Sequence, residues 1–159
     1  STLGDVRVAV DAVTSARHTH IFPSVTKSGQ TAIFSTTGNE DCHVILRGGL
    51  EPNYDAASVQ AGCDLLAKAE LPARLMVDLS HANSSKDHER QKIAGAAVAE
   101  QLRVAPQNVL GVMIESHLVA GKQSLSDELT YGQSITDACI GWIDTVELLS
   151  ELALAKAAL

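Results

Sequence analysis

Short runs that are apolar at nearly every position alternate along this chain with longer stretches whose apolar residues recur at helical spacing, and that alternation leaves few folds open. "HVIL" (43–46), "RLMVDLS" (74–80) and "NVLGVMIES" (108–116) read as buried strands. Between them, residues 55–69 place Val59, Cys63, Leu66 and Ala67 on one side of a helix, and residues 86–103 form a second helical stretch. Pro72 marks the passage from the first helix to its strand, and residues 144–159, rich in alanine and leucine, read as a final helix. Nearly continuous apolar strands separated by helices are the pattern of a parallel sheet covered by helices. Upstream, Val6, Val10 and Val13 give residues 4–16 a helical period, and strand-like runs follow at 20–26, 30–41 and 42–49. Such a sheet, left open, would expose strand edges near 20–26 and 108–115.

Composition removes several functional classes. With 159 residues and 45% hydrophobic content the chain can bury a core of its own. It carries 12 basic against 19 acidic side chains and no lysine- or arginine-rich run, which argues against a nucleic-acid partner. No apolar run approaches the roughly 18 residues of a membrane helix, and "STLGDVRVAV" lacks the layout of a signal peptide, so no membrane partner and a cytoplasmic location are expected. Cys42, Cys63 and Cys139 have no CxxC spacing and read as reduced, mostly small core residues. A start at Ser1, already inside a helical pattern, leads us to expect a piece of a longer protein.

In parallel α/β folds the chemistry gathers beyond the carboxyl ends of the strands. After "HVIL" comes Arg47-Gly48-Gly49, after "LMVDL" comes Ser80-His81-Ala82-Asn83, after "VLGVMI" comes Glu115-Ser116-His117, and the loop before the last helix holds Thr136-Asp137-Ala138-Cys139. His81, Glu115 and Asp137 form a candidate metal set, since imidazole nitrogen and carboxylate oxygen suit a borderline divalent ion. Taken singly, each also reads as ordinary structure: a hydrogen-bonded histidine, a solvated carboxylate, a turn or cap aspartate. Arg47 followed by two glycines offers a bidentate charge beside backbone amides that a phosphate can approach, or equally a surface arginine paired with an acid. His18, His20 and the adjacent Cys42 and His43 are assigned to loop and sheet packing, because no third ligand is spaced to join them.

Four strings, "GNEDCHVILRGGLEPNY", "MVDLSHANSSK", "GVMIESHLVAGKQSL" and "YGQSITDACIGW", resemble the 3-deoxy-D-arabino-heptulosonate 7-phosphate (DAHP) synthases of the microbial type I class, in that family's order and over nearly the whole chain. The resemblance implies an α/β fold of the parallel (β/α)8 TIM-barrel family, with this chain covering roughly the last four β/α units. Residues 1–159 would then be the carboxyl-terminal half of a single catalytic domain. It implies a metal-dependent aldol-type transferase that condenses phosphoenolpyruvate with erythrose 4-phosphate, releasing phosphate, as the first step of the shikimate pathway of aromatic amino acid biosynthesis. The family's divalent ion, of the Mn, Fe, Co or Zn class, is held by a cysteine, a histidine, a glutamate and an aspartate. The last three fall on His81, Glu115 and Asp137, and the phosphoenolpyruvate-binding arginine falls on Arg47.

Arg47, His81 and Asp137 are accordingly the catalytic candidates, with Arg47 holding phosphate and Asp137, or a water, moving protons. Phe22 and Ser24 in "HIFPSVTK" match positions lining a feedback-effector pocket, although strand packing also accounts for them. The resemblance puts the cysteine ligand and a cationic substrate-gripping loop on earlier strands, and none of the three cysteines here takes that ligand's place. The expected partners are therefore the missing amino-terminal half and further copies in a homo-oligomer, and the isolated chain is expected to be inactive. The alternative is a non-catalytic half-barrel that folds only by association with a partner half or with itself.

Overall fold

The computed structural model describes residues 4–157. Among them, α1 (Val6–Ala16) precedes β1 (Ile21–Val25), β2 (Thr31–Ser35) and β3 (Ile45–Leu46). Then follow α2 (Ala56–Lys68), β4 (Leu75–Asp78), α3 (Arg90–Val104), β5 (Val109–Met113), β6 (Val119–Lys122), β7 (Gln133–Ser134) and α4 (Trp142–Ala157). The end of the expected final helix, at 158–159, lies outside the described residues. β3, β4 and β5 pair in parallel in that order, with α2 and α3 as the crossovers that parallel pairing requires. β6 and β7 form a separate parallel pair.

Local chemistry explains where the helices begin and which face they bury. Asp55 caps α2, its carboxylate accepting the Ser58 backbone N–H at 2.9 Å and the Ser58 hydroxyl at 2.6 Å. Val59, Gly62, Cys63 and Leu66 then form the buried face of α2. A Cβ on Gly62 would lie 2.6 Å from Leu75 Cδ2, so a larger residue would require that buried side chain to shift. Gly95 plays the same part between α3 and Leu148 of α4. Leu46, Leu75, Val77 and Leu79 meet Ala94, Val98, Leu148 and Leu152 in one buried cluster. Each large aliphatic side chain contributes roughly 1.5–3 kcal/mol by leaving water. Among the described residues no helix is long and apolar enough to cross a membrane.

Three expectations need correction. Residues 20–26 are not an edge of the parallel sheet: β1 pairs antiparallel with β2 from Ile21↔Ser35 to Val25↔Thr31, in a sheet of its own. The linking segment turns at Gly29 (φ 81°) and is far too short for a crossover. The run at 42–49 pairs with β4 only at Ile45 and Leu46, because Gly48 (φ 79°) turns the chain out of the strand. The helix expected from residue 86 starts at Arg90, since Ser85 (φ 54°) and Lys86 (φ 62°) have left-handed backbone that cannot open an α-helix. Beyond the named strands, Ser116 and Ile140 form an isolated parallel bridge.

The Asp55 cap makes a test of the fold. Hydrogen bonds from the Ser58 side chain and then the Ser58 backbone hold the Asp55 carboxyl below its ordinary value, against a smaller opposing effect of burial. A carboxyl lowered on folding stabilises fully above its unfolded pKa and loses that contribution as pH falls through the folded value. Asp55→Ala should therefore cost about 1 kcal/mol at neutral pH, and urea titrations of the intact protein should show the gap from wild type narrowing below about pH 4.

Candidate metal centre

Parallel pairing delivers Arg47, His81 and Glu115 to one edge of the sheet, just past the ends of β3, β4 and β5. His81 sits in the left-handed region (φ 49°), which histidine tolerates better than most residues, and its ring folds back over the strand it leaves. There His81 Nδ1 meets Oδ2 of Asp78 at 2.7 Å. An ionised carboxylate only accepts, so Nδ1 is the donor in this contact and Nε2 is the ring nitrogen turned outward. Nε2 lies 3.6 Å from Glu115 Oε1. With a carboxylate oxygen of Asp137, these atoms all fall within 4.8 Å of one another.

Each ligand-type residue is held by its backbone. Glu115 exchanges two hydrogen bonds with the buried Gln91 amide at the start of α3, its N–H donating to Gln91 Oε1 at 2.9 Å and its carbonyl accepting from Gln91 Nε2 at 3.0 Å. The same carbonyl accepts the Ile140 N–H at 3.0 Å, which brings the segment carrying Asp137 alongside. Cys139 and Gly121 bond each other's backbones at 2.8 and 3.1 Å and fix the far side of that segment. His81's loop is tied by Asn83, whose Nδ2 donates to the Asp78 carbonyl at 2.7 Å and to the Leu46 carbonyl at 3.1 Å. Asn83 Oδ1 accepts the Asn53 N–H at 2.8 Å, so the loops after β3 and β4 are joined.

The residues fit a divalent ion by the chemistry of their donors. One imidazole nitrogen and two carboxylates converge here, a nitrogen-and-oxygen donor set of the kind that divalent ions take. Cys139 does not join the converging set of His81, Glu115 and Asp137; burial pushes its thiol up, opposed by a hydrogen bond with Ser134 and reinforced by the charges of Glu115 and Asp137.

Arg47 reaches the same mouth, its Nε 3.9 Å from Asp78 Oδ2 and its side chain 48% exposed. The amides after it differ from the sequence reading. Gly48 N–H donates to Asn53 Oδ1 at 2.7 Å and Gly49 N–H to the Glu51 carbonyl at 3.0 Å, so neither is free for a phosphate. Gly48 serves packing instead, as a Cβ there would lie 2.8 Å from that of Ala82. Phe22 and Ser24 lie apart from this set on the β1–β2 hairpin, where Phe22 stacks on Phe34 with ring centroids 6.1 Å apart. Sequence reasoning missed Asp78, Asn83 and Gln91. Asp78 is a charge inside an apolar strand, and Gln91 shares the buried face of α3 with Ala94, Gly95 and Val98; a buried polar group in either place signals a partner.

Residues 4–150 match the family model described as the DAHP synthetase I family. The chain is 53% identical over 154 residues to "Phospho-2-dehydro-3-deoxyheptonate aldolase, Phe-sensitive" of Escherichia coli K12, covering 96% of this chain and 44% of that protein. It is 46% identical over 156 residues to the Trp-sensitive enzyme of the same organism, covering 97% and 45%. A solved structure of phospho-2-dehydro-3-deoxyheptonate aldolase from Francisella tularensis SCHU S4 superposes with a TM-score of 0.93 at 49% identity, over 99% of this chain and 47% of that one. The chain thus spans less than half the length of these relatives.

If the three donors act together, His81→Ala, Glu115→Ala and Asp137→Ala should each weaken binding of Mn²⁺ or Co²⁺ by on the order of tenfold or more, since even an outer-shell partner is worth 10–100-fold. Calorimetric titration of the intact protein checks this, and three unchanged affinities would dissolve the site.

Proposed function

Because this chain belongs to the DAHP synthetase I family, we propose that it forms the metal-binding, carboxyl-terminal half of a cytoplasmic (β/α)8 barrel that condenses phosphoenolpyruvate with erythrose 4-phosphate. The observation that carries the reading is the convergence of His81, Glu115 and Asp137 at the mouth of the parallel sheet. These three would hold the ion, of the Mn, Fe, Co or Zn class. Bound there, it would supply Lewis-acid polarisation of the aldehyde.

The chain's own residues do the rest by position and charge. Arg47 binds the phosphate of phosphoenolpyruvate and stabilises charge as that phosphate departs. Glu115 and His81 are fixed by Gln91 and Asp78 and keep their geometry as reactants come and go. Asp137, the exposed member of the set, is the residue able to exchange a proton with a reactant at the mouth. The partner half completes the barrel on the free edge of the sheet and brings the remaining ligand and cationic groups, so the chain alone is inactive, and the assembled protein is a homo-oligomer. Phe22 and Ser24 on the hairpin contribute to a pocket for an aromatic amino acid, a reading supported by the resemblance to an enzyme named Phe-sensitive.

In the intact protein, release of inorganic phosphate should require both substrates and a divalent ion and should stop reversibly on chelation. Arg47→Ala should keep its ion but raise KM for phosphoenolpyruvate by roughly ten- to a hundredfold, the equivalent of losing a charged contact of about 1.5–3 kcal/mol. Activity that survives chelation would end this reading. Titration with phenylalanine, tyrosine and tryptophan tests the effector pocket, and indifference to all three would remove it.

A further inference from the structure

The geometry points to Asp78 as a positioning residue that sets both the metal-ligand histidine and the phosphate-binding arginine through one carboxylate oxygen. Its side chain is 1% exposed, and a buried carboxylate persists only where its oxygens are matched by donors. Oδ1 is committed to the chain, accepting the Ser80 N–H at 2.8 Å. Oδ2 is shared by the two site residues: His81 Nδ1 at 2.7 Å and Arg47 Nε at 3.9 Å. The Asp78 carbonyl is held by Asn83, so the carboxylate stands on a fixed backbone at the end of β4.

Two consequences follow for the residues on either side. Accepting the Nδ1 proton fixes the tautomer and ring plane that turn Nε2 towards Glu115, and raises the basicity of that nitrogen as a ligand. Facing Arg47 Nε, the same oxygen orients a guanidinium whose side chain is otherwise half exposed and would sample many rotamers. Asp78 touches neither ion nor substrate in this arrangement, and acts through its neighbours.

The inference rests on the metal and phosphate roles given above to His81 and Arg47, and the experiment separates the two. Asp78→Asn in the intact protein should lower Mn²⁺ or Co²⁺ affinity by about 10–100-fold and raise KM for phosphoenolpyruvate. Adding Asp78→Asn to Arg47→Ala should raise that KM no further, because Asp78 acts on phosphate through Arg47. A folded Asp78→Asn protein with wild-type ion affinity and wild-type KM would overturn the inference. If His81→Ala also left ion affinity unchanged, the metal reading itself would fall, a different result. Should Asp78→Asn not fold, ¹⁵N spectra of wild-type His81 decide: a proton on Nδ1 without metal, with metal perturbing Nε2, is expected. A ring protonated at Nε2 alone, with Nδ1 bare, in the metal-free protein would refute the role.

Discussion

Parallel pairing of β3, β4 and β5 is the constraint on which the rest depends. In a parallel ladder all strands leave the sheet in the same direction, so the residues following Leu46, Asp78 and Met113 reach one edge however distant they are in sequence. The helices make this possible by filling the crossovers and burying the opposite face against Leu46, Leu75, Val77 and Leu79. Gly62 and Gly95 set how closely those layers approach. A change in either would be felt at the mouth only through the strands, which separates the parts that hold the fold from the parts that could do chemistry.

Beyond the strand ends the backbone ladder stops, and side-chain amides continue its work. Gln91 offers Glu115 one donor and one acceptor, as a neighbouring strand would. Asn83 and Asn53 relay from the loop after β4 to the Gly48 amide after β3. Such amides are fully useful only when buried and satisfied, because an unpaired one would cost more than an apolar residue in its place. The loops are therefore specified as tightly as the core.

What the sequence disclosed followed the strength of its periodic signals. α2 is legible almost to the residue, because its buried face is written in the chain, and β4 and β5 are legible as mostly apolar runs, although the expected 74–80 and 108–116 overrun their observed ends. The hairpin was misplaced because an exposed strand and a sheet-edge strand look alike in composition; only the short segment between 25 and 31 tells them apart. The start of α3 was misjudged because left-handed backbone at Ser85 and Lys86 leaves no mark in residue type. The convergence of His81, Glu115 and Asp137 was legible from two strand ends and the loop before the last helix, whereas Asp78 and Gln91 were passed over because their partners are set by tertiary packing.

Charge at the mouth shows what this half of a site can and cannot do. Asp78, Glu115 and Asp137 set three carboxylates there against the guanidinium of Arg47 and the imidazole of His81. That set attracts a cation and disfavours an anion, and the Gly48 and Gly49 amides that might have offset it are already bonded within the chain. A divalent ion would bring the balance close to neutral. Among these five residues Arg47 is the permanent positive charge, and phosphate binding in a site that excludes water depends on several. In the role proposed for them, the described residues would hold and orient a metal, and firm retention of phosphate would call for cationic groups from outside them.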